Sequence, residues 1–265
     1  AELETGRGQR PTGLGGGAMA TDGKLENIVV SDALDSGFGW TYEMITSLGG
    51  RVRRETAESV VEIEVDLAEG AGCRAEFDVS DSIAVDGLEE LLDGLARAAG
   101  LSLVVKFHAS ELSSSHVVAE DIGLAFGKLL LKVAELRWQS VGMTGAGSSL
   151  RSPDDLAAVA RVALSVEGRK FWKFVSLNSS YAEMRKRLLV GQTIAENLRS
   201  EDLDDFFDGL SGGLGASIMV HVESLEDPTD IWLTIFANLG RAIGQAFAEE
   251  PRRVGLPPGV KATLM

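Results

Sequence analysis

The stretch Leu88-Glu-Glu-Leu-Leu-Asp-Gly-Leu95 returns 115 positions later as Leu203-Asp-Asp-Phe-Phe-Asp-Gly-Leu210. The match continues in register, because the apolar residues 101–105 lie at the same offset from residues 216–220. A repeat of this length is typical of a duplicated structural unit. The sequence therefore predicts two similar halves, and a duplicated fold often places its sites between the two copies, where matching loops face each other.

Hydrophobic periodicity predicts the order strand, strand, helix, strand, helix within a half. Residues 61–67 alternate apolar and acidic, as in a half-buried strand. Residues 73–79 alternate in the same way after a Gly-rich turn, which predicts a hairpin with the preceding strand. The leucines of residues 88–95 form one helical stripe. A strand over 101–107 and a helix to about residue 135, capped within 113–115, complete the first half.

The second half repeats this order around a polar insertion at residues 176–200. We predict an α/β (α+β) fold in which the helices pack on one face of a mainly antiparallel sheet in each half. The predicted division is an N-terminal arm and extra segment at 1–48, a first half-domain at 49–147 and a second at 148–265, forming one compact unit. Residues 1–23 are rich in glycine and poor in apolar side chains, as in an arm with little structure of its own.

Bulk composition limits the functional classes. The 265 residues carry a net charge of −15, and 45% of them are hydrophobic. Such an acidic surface repels phosphate backbones and anionic lipid, so we expect neither nucleic acid nor membrane as a partner. The chain has no apolar run of about 18 residues. It contains a single cysteine, Cys73. A cytoplasmic protein without a disulfide framework is expected.

Two kinds of residue are candidates for chemistry on local grounds. His116 and Glu120 lie four apart at the predicted start of a helix, so they share a face. That pair can hold a divalent metal or transfer a proton, and it is equally typical of an ordinary polar pair. Arg169 follows a glycine and Lys261 a Pro-Pro-Gly segment, which suits an anion as well as plain surface charge.

The acids of the repeat lie off the apolar stripe of each predicted helix. Such acids usually form a solvated face, and we interpret them so. They are Glu89, Glu90 and Asp93 in the first half, and Asp204, Asp205 and Asp208 in the second.

From about Arg51 to Lys261 the chain resembles imidazoleglycerol-phosphate dehydratase, a hydro-lyase family of histidine biosynthesis. The most specific stretch is residues 116–127, which resembles the family's His-His-Thr-Val-Glu-Asp-Val-Gly-Ile-Ala-Leu-Gly. Residues 54–59 resemble its opening Arg-x-Thr-x-Glu-Thr, and residues 87–97 its Phe-Leu-Asp-His-Met-Leu-Asp-Gln helix. Further similar stretches are residues 168–169, 204–207, 236–242 and 258–261.

The resemblance implies a tandem duplication of a ribosomal protein S5 domain 2-like half. It also implies two manganese ions between histidines and glutamates of both halves, basic residues that clamp a phosphate, and trimers that assemble into a 24-subunit shell. The residues carried over are Glu58, His116 and Glu120 for catalysis, and Arg169 and Lys261 for the phosphate.

Several positions depart from the family pattern. Glu90 and Asp205 stand where the family has a histidine in each half, and Val117 replaces the second histidine of the first His-His-x-x-Glu. The second such motif is residues 229–233, Thr-Asp-Ile-Trp-Leu, followed by Ala237 in place of a lysine, and the arginine of the linker is Gly145. The resulting metal set is Glu90, His116, Glu120 and Asp205. Manganese and magnesium both remain open, and neither is favoured, because carboxylates have replaced imidazoles.

Two functional hypotheses follow. In the first, the chain no longer performs the manganese-dependent dehydration and binds a phosphorylated ligand or serves as a structural homologue. In the second, it remains a hydro-lyase on imidazole glycerol phosphate or a related phosphate ester, with a carboxylate-rich metal site. Residues 36–43, which resemble the family's Thr-Gly-Ile-Gly-Phe-Leu-Asp-His, would then contribute.

Overall fold

The computed structural model describes residues 30–33, 39–109, 114–152, 158–194, 198–223 and 227–259. In this part of the chain two sheets enclose a layer of helices. The first half comprises β1 (Val30–Ala33), β2 (Gly39–Glu43), β3 (Gly49–Glu55), β4 (Val60–Asp66), β5 (Gly72–Asp78), α1 (Asp86–Ala99), β6 (Ser102–His108) and α2 (His116–Ser140).

The second half begins with β7 (Ala146–Ser149), β8 (Ala160–Val166) and β9 (Phe171–Ser176). The insertion that follows contains α3 (Tyr181–Met184), a π-helical turn at Arg185–Leu189, and the short hairpin of β10 (Thr193–Ile194) and β11 (Leu198–Arg199). The half ends with α4 (Ser200–Leu214), β12 (Ala216–Val222), α5 (Pro228–Ala246) and a 3₁₀ turn at Pro251–Arg253.

The strand orders confirm the duplication. The first sheet runs β1-β2-β3-β4-β6-β5, and the second runs β7-β8-β12-β9. In both sheets the last two strands along the chain are parallel neighbours, β5 with β6 and β9 with β12, while the other pairs are antiparallel. Strands β3-β4-β6-β5 thus correspond one to one with β7-β8-β12-β9, as the repeat predicts.

The predicted hairpin between the strands at residues 61–67 and 73–79, which are β4 and β5, is wrong. Strand β6 lies between β4 and β5, with Ile63 opposite Val105 and Ala75 beside Val105 on the other side. The cause is α1, which connects β5 to β6 as a crossover and so makes them parallel neighbours. Alternation of apolar residues defines the buried face of a strand and carries no information about its neighbour.

Other boundaries are also shifted. Helix α2 continues to Ser140, five residues beyond the predicted end at about Glu135. The predicted division between residues 147 and 148 falls inside β7, which pairs with β8 of the second sheet. In the extra segment, β1 and β2 extend the edge of the first sheet, and residues 1–23 lie outside the described part.

Helices of opposite halves pack directly against each other. Helix α2 contacts α4 and α1 contacts α5, and the four helices lie between the two sheets. Glycines allow the closest approach: a Cβ atom at Gly209 would lie 2.3 Å from the Glu120 carbonyl oxygen, and one at Gly240 would lie 2.1 Å from that of Leu95. The aromatic side chains Phe206, Phe207, Trp232 and Phe236 fill the adjoining core with no more than 2% exposure.

The repeat supplies a matched test of this packing. Gly94 and Gly209 occupy equivalent positions, but a Cβ atom at Gly94 would meet no other atom within 4 Å. We expect Gly209→Ala to lower the free energy of unfolding by about 2–3 kcal/mol, because α2 and α4 must separate. Gly94→Ala should be neutral or raise it by up to about 1 kcal/mol through helix propensity. Urea unfolding followed by circular dichroism measures both, and equal effects would contradict the proposed contact.

Candidate functional site

The N-termini of α2 and α4 meet and form one corner of the molecule, which we call the α2/α4 corner (His116, Glu120, Asp202, Asp205). The two helices run parallel, since Gly209 faces Glu120 and Gly213 faces Leu124. This register places Asp205 level with the first turn of α2. His116 and Glu120 are both exposed there, and His116 Nδ1 lies 2.7 Å from the Ser114 hydroxyl.

Negative charge dominates the α2/α4 corner. Burial raises the pKa of Asp205, the nearby His116 opposes that change, and the charges of Glu120, Asp202 and Asp208 add to it. Asp202 is only 3% exposed, and burial raises its pKa while a hydrogen bond from Ser115 acts in the opposite direction. Its Oδ2 atom has no hydrogen-bond partner. Asp202 carries no signal in the sequence pattern, because its position in the repeat aligns with a glycine, Gly87.

A buried ion pair fixes the turn that carries Glu58 beside this corner. Asp121, which follows Glu120, pairs with Arg54 and accepts a hydrogen bond of 2.7 Å from the Ser59 hydroxyl. Asp121 is 7% exposed, so Arg54 supplies the counter-charge that its burial requires. The two family-like motifs at residues 54–59 and 116–127 are therefore held together by their non-catalytic members. Glu58 itself is exposed on the turn between β3 and β4.

Glu90 lies away from the α2/α4 corner. It faces a separate open groove of about 480 Å³ between α1 and α5, with Leu233, Ala237 and Arg241 on the opposite helix. This groove is the counterpart of the α2/α4 corner in the repeat, since α1 corresponds to α4 and α5 to α2. Glu90 thus occupies in the groove the place that Asp205 has in the corner, and Leu233 the place of Glu120.

The donor sets do not fit the pair of manganese ions that the resemblance implies. Across the residues that the structure describes, no three His, Cys, Asp or Glu side chains are grouped so that they could hold a metal ion. Leu233 and Val117 offer no donor atom, and Glu90 is on a different helix pair from the other three proposed ligands. One chain therefore does not bring Glu90, His116, Glu120 and Asp205 together.

Arg169, one of the two residues expected to bind phosphate, lies in a second place, which we call the phosphate corner (Gly145, Glu167, Arg169, Gly259). The Gly145 carbonyl accepts a hydrogen bond from Val166, and a Cβ atom on Gly259 would lie 2.8 Å from the Glu167 Cα. Lys261 follows two residues later and lies outside the described residues. The Arg169 amide donates a hydrogen bond to the Gly215 carbonyl at the end of α4. Gly215 follows Asp205 by ten residues, so the phosphate corner lies about 15 Å along the helix from the α2/α4 corner.

Arg169 is already paired within the phosphate corner. Its guanidinium lies 2.9 Å from the Glu167 carboxylate, with side-chain exposures of 60% and 16%. Glu167 therefore competes with any anion for this arginine.

Removing that competitor tests the phosphate corner. We expect Glu167→Gln to increase the affinity for inorganic phosphate about three- to tenfold, because a charge-assisted contact becomes free. Arg169→Gln should abolish binding. Calorimetric titration with phosphate measures both, and Glu183→Gln, which removes a carboxylate beside Arg187 on another surface, is the control. Unchanged affinity in Glu167→Gln would exclude Arg169 as the anion-binding group.

The acids of the first repeat do more than form a solvated face, which corrects that interpretation. Glu89 accepts a hydrogen bond of 3.0 Å from the Ala75 amide, and Asp93 accepts one of 2.8 Å from the Cys73 amide. Both donors belong to β5, the edge strand of the first sheet. The carboxylates thus cover amides that an open sheet edge would otherwise expose.

These acids also suppress the reactivity of Cys73. Burial, followed by the charges of Glu89 and Asp93, raises the pKa of its thiol to about 12. Because the thiolate is the reacting species, alkylation by iodoacetamide at mildly alkaline pH should be at least about a hundredfold slower in the native protein than in denaturant. Mass spectrometry of timed samples measures the rate. Similar rates in both conditions would contradict the burial of this thiol.

Fold and site together define a class: a duplicated α/β protein whose two helix pairs place acidic side chains at equivalent positions, with an imidazole, His116, beside one of them. Residues 83–243 match the family model of imidazoleglycerol-phosphate dehydratase. The chain belongs to the imidazoleglycerol-phosphate dehydratase family. The described residues contain no helix with the length and apolar character needed to cross a bilayer.

Curated relatives cover most of the chain. The imidazoleglycerol-phosphate dehydratase of Xanthobacter autotrophicus is 29% identical over 214 residues, which is 80% of this chain and 95% of the relative. That of Paracoccus denitrificans is 28% identical over 216 residues, 81% and 98% of the two chains.

Solved structures confirm the fold. The enzyme of Staphylococcus aureus superposes with a TM-score of 0.53 at 20% identity, covering 75% of this chain and 98% of that one. IGPD from Pyrococcus furiosus superposes with a TM-score of 0.53 at 23% identity, and the match covers 75% of this chain and 94% of that one.

Proposed function

We propose that this family member does not carry out the manganese-dependent dehydration of imidazole glycerol phosphate and instead binds a phosphorylated small molecule. The observation that carries the proposal is the groove between α1 and α5. Leu233 and Ala237 face Glu90 there, at the positions of a glutamate and a lysine in the family pattern. An isobutyl and a methyl group replace a metal ligand and a cation, so this half of the implied site has lost its chemistry.

The α2/α4 corner supports the same proposal in a different way. It keeps His116 and Glu120, but Val117 and Asp205 replace two imidazoles by an alkyl group and a carboxylate. Manganese is bound well by imidazole, and several lost ligands should cost far more than the 10–100-fold typical of a lost supporting residue. The corner retains the charge of a metal site without its set of donors.

Binding of a phosphorylated ligand is supported by the phosphate corner. Arg169 projects from a turn whose amides bind the Gly215 carbonyl, and its side chain is 60% exposed. The pair with Glu167 moderates the affinity without closing access to the guanidinium.

The proposal includes self-association into a trimer and a larger shell. Glu90, the α2/α4 corner and Arg169 lie at separate places in one chain. A ligand that touches more than one of them needs a second copy of the chain.

A hydro-lyase with a carboxylate-rich site is the second candidate, and one observation favours it. His116, Glu120 and Asp205 interact electrostatically at the α2/α4 corner, next to the turn that carries Glu58. The guanidinium carbon of Arg54 lies over the ring of Trp40 in the extra segment, 5.6 Å from the ring centroid. This segment therefore reinforces the same turn. In this reading Glu58 or Glu120 would move the proton.

A dehydratase assay with added manganese separates the two candidates. For the purified chain we expect no turnover of imidazole glycerol phosphate and no stoichiometric metal by elemental analysis. The Paracoccus denitrificans relative, assayed in parallel, is the positive control. Turnover that is lost in Glu120→Gln, or one tightly bound metal per chain that is lost in Glu120→Ala, would overturn the first candidate and support the second.

A further inference from the structure

The insertion between β9 and α4 lines a cavity. Only residues 79–85 separate β5 from α1, whereas residues 177–199 separate β9 from α4. Together with β9 and the first turn of α4, this longer connection encloses a cavity of about 310 Å³. The side chains that line it are Trp172, Lys173, Phe174, Tyr181, Arg185, Leu189, Val190, Glu201 and Asp204.

Flat apolar surfaces form the wall of this cavity. Trp172 packs edge-to-face on Phe174 with ring centroids 5.6 Å apart, and a hydrogen bond of 3.2 Å from its indole N–H to Asp208 fixes the ring. Leu189 is 5% exposed and continues the wall. Tyr181 is 57% exposed, unusually open for a side chain that lines a cavity. A planar ring of a ligand would find rigid aromatic surface here.

Asp204 provides an acceptor that the protein does not use. Its Oδ1 atom is buried and has no hydrogen-bond partner. The equivalent acid of the first half, Glu89, accepts a hydrogen bond from the amide of Ala75 on β5. The corresponding residue on β9 is Phe174, and Asp204 makes no such bond, although it lines the cavity. A buried acceptor without a partner is unfavourable, and a donor from a ligand would satisfy it.

An exposed guanidinium lines the same cavity. Arg185 lies close enough to act electrostatically on Asp204, but its guanidinium makes no hydrogen bond or ion pair within 4.0 Å among the described residues. Lys173 adds a second positive charge. Glu201 is already engaged, because it accepts hydrogen bonds from the Gly191 amide at 2.8 Å and from the Ser200 hydroxyl at 3.2 Å. The cavity thus presents an acceptor without a hydrogen-bond donor and two cationic side chains beside an aromatic wall.

We propose that this cavity binds a free amino acid with an aromatic or heteroaromatic side chain. The ammonium group donates to Asp204 Oδ1, the carboxylate pairs with Arg185, and the ring lies on Trp172. A zwitterion offers a donor to Asp204 and an anionic group to Arg185 at the same time. A phosphate ester would bring two negative charges next to Asp204 and Glu201, which disfavours it. The site is separate from the phosphate corner, so it goes beyond the proposed function.

Calorimetric titration of the full chain with L-phenylalanine, L-histidine and L-tryptophan, each in turn, tests the proposal. We expect saturable binding of at least one, and affinity weaker by about tenfold or more for 2-phenylethylamine, 3-phenylpropionate and glycine. Each of these three analogues lacks one element of the recognition: the carboxylate, the ammonium group or the ring. Absence of binding by all three aromatic amino acids would overturn the proposal.

Variants locate the binding to this cavity. Asp204→Asn and Arg185→Gln should each weaken the affinity of the bound amino acid about tenfold or more. The matched controls are Glu89→Gln, the equivalent acid of the first half, and Arg187→Gln, a neighbouring arginine that does not line the cavity. Because Arg185 is exposed, its variant keeps the test valid even if Asp204→Asn unfolds. Unchanged affinity in Arg185→Gln would place the ligand elsewhere and reject the proposal.

Discussion

The close contact between α2 and α4 is the constraint on which the molecule depends. At Gly123, Gly127 and Gly213 an added Cβ atom would lie 2.3, 2.6 and 2.4 Å from a carbonyl oxygen of the facing helix. Backbone therefore meets backbone over two turns, and no side chain separates the helices. Because α2 belongs to the first half and α4 to the second, this contact joins the halves and also fixes the register of their N-termini.

That register has an electrostatic consequence. Parallel helices bring two partially positive N-termini together, and such ends stabilise nearby carboxylates. Asp202, Asp205 and Glu120 can therefore lie close to one another even without a metal ion to neutralise them. Burial is the largest cause that raises the pKa values of Asp202 and Asp205, and the charges of neighbouring acids add to it. An acidic corner is thus compatible with a stable fold whether or not its chemistry survives, which is why the acids alone do not establish activity.

The sequence predicted the duplication and the helical stripes well, because both are local patterns. It predicted the wrong neighbour for β5, because the alternation of apolar residues shows which face of a strand is buried and not which strand pairs with it. In the site, the spacing of His116 and Glu120 correctly placed both on the first turn of α2. No local pattern indicated that Glu90 and Asp205, equivalent in the repeat, would face different helices. That separation arises because each half pairs its helices with those of the other.

The equivalent acids Glu89 and Asp204 show how duplication permits divergence. Glu89 reaches the edge strand and satisfies its amide, so its role is structural. Asp204 is one methylene shorter, and the insertion covers the region beside it with α3 and the π-helical turn. The same position thus changes from protecting a sheet edge to lining a cavity, while the strand order around it is retained. In this family member, the connection between β9 and α4 has therefore altered the local chemistry without altering the duplicated framework.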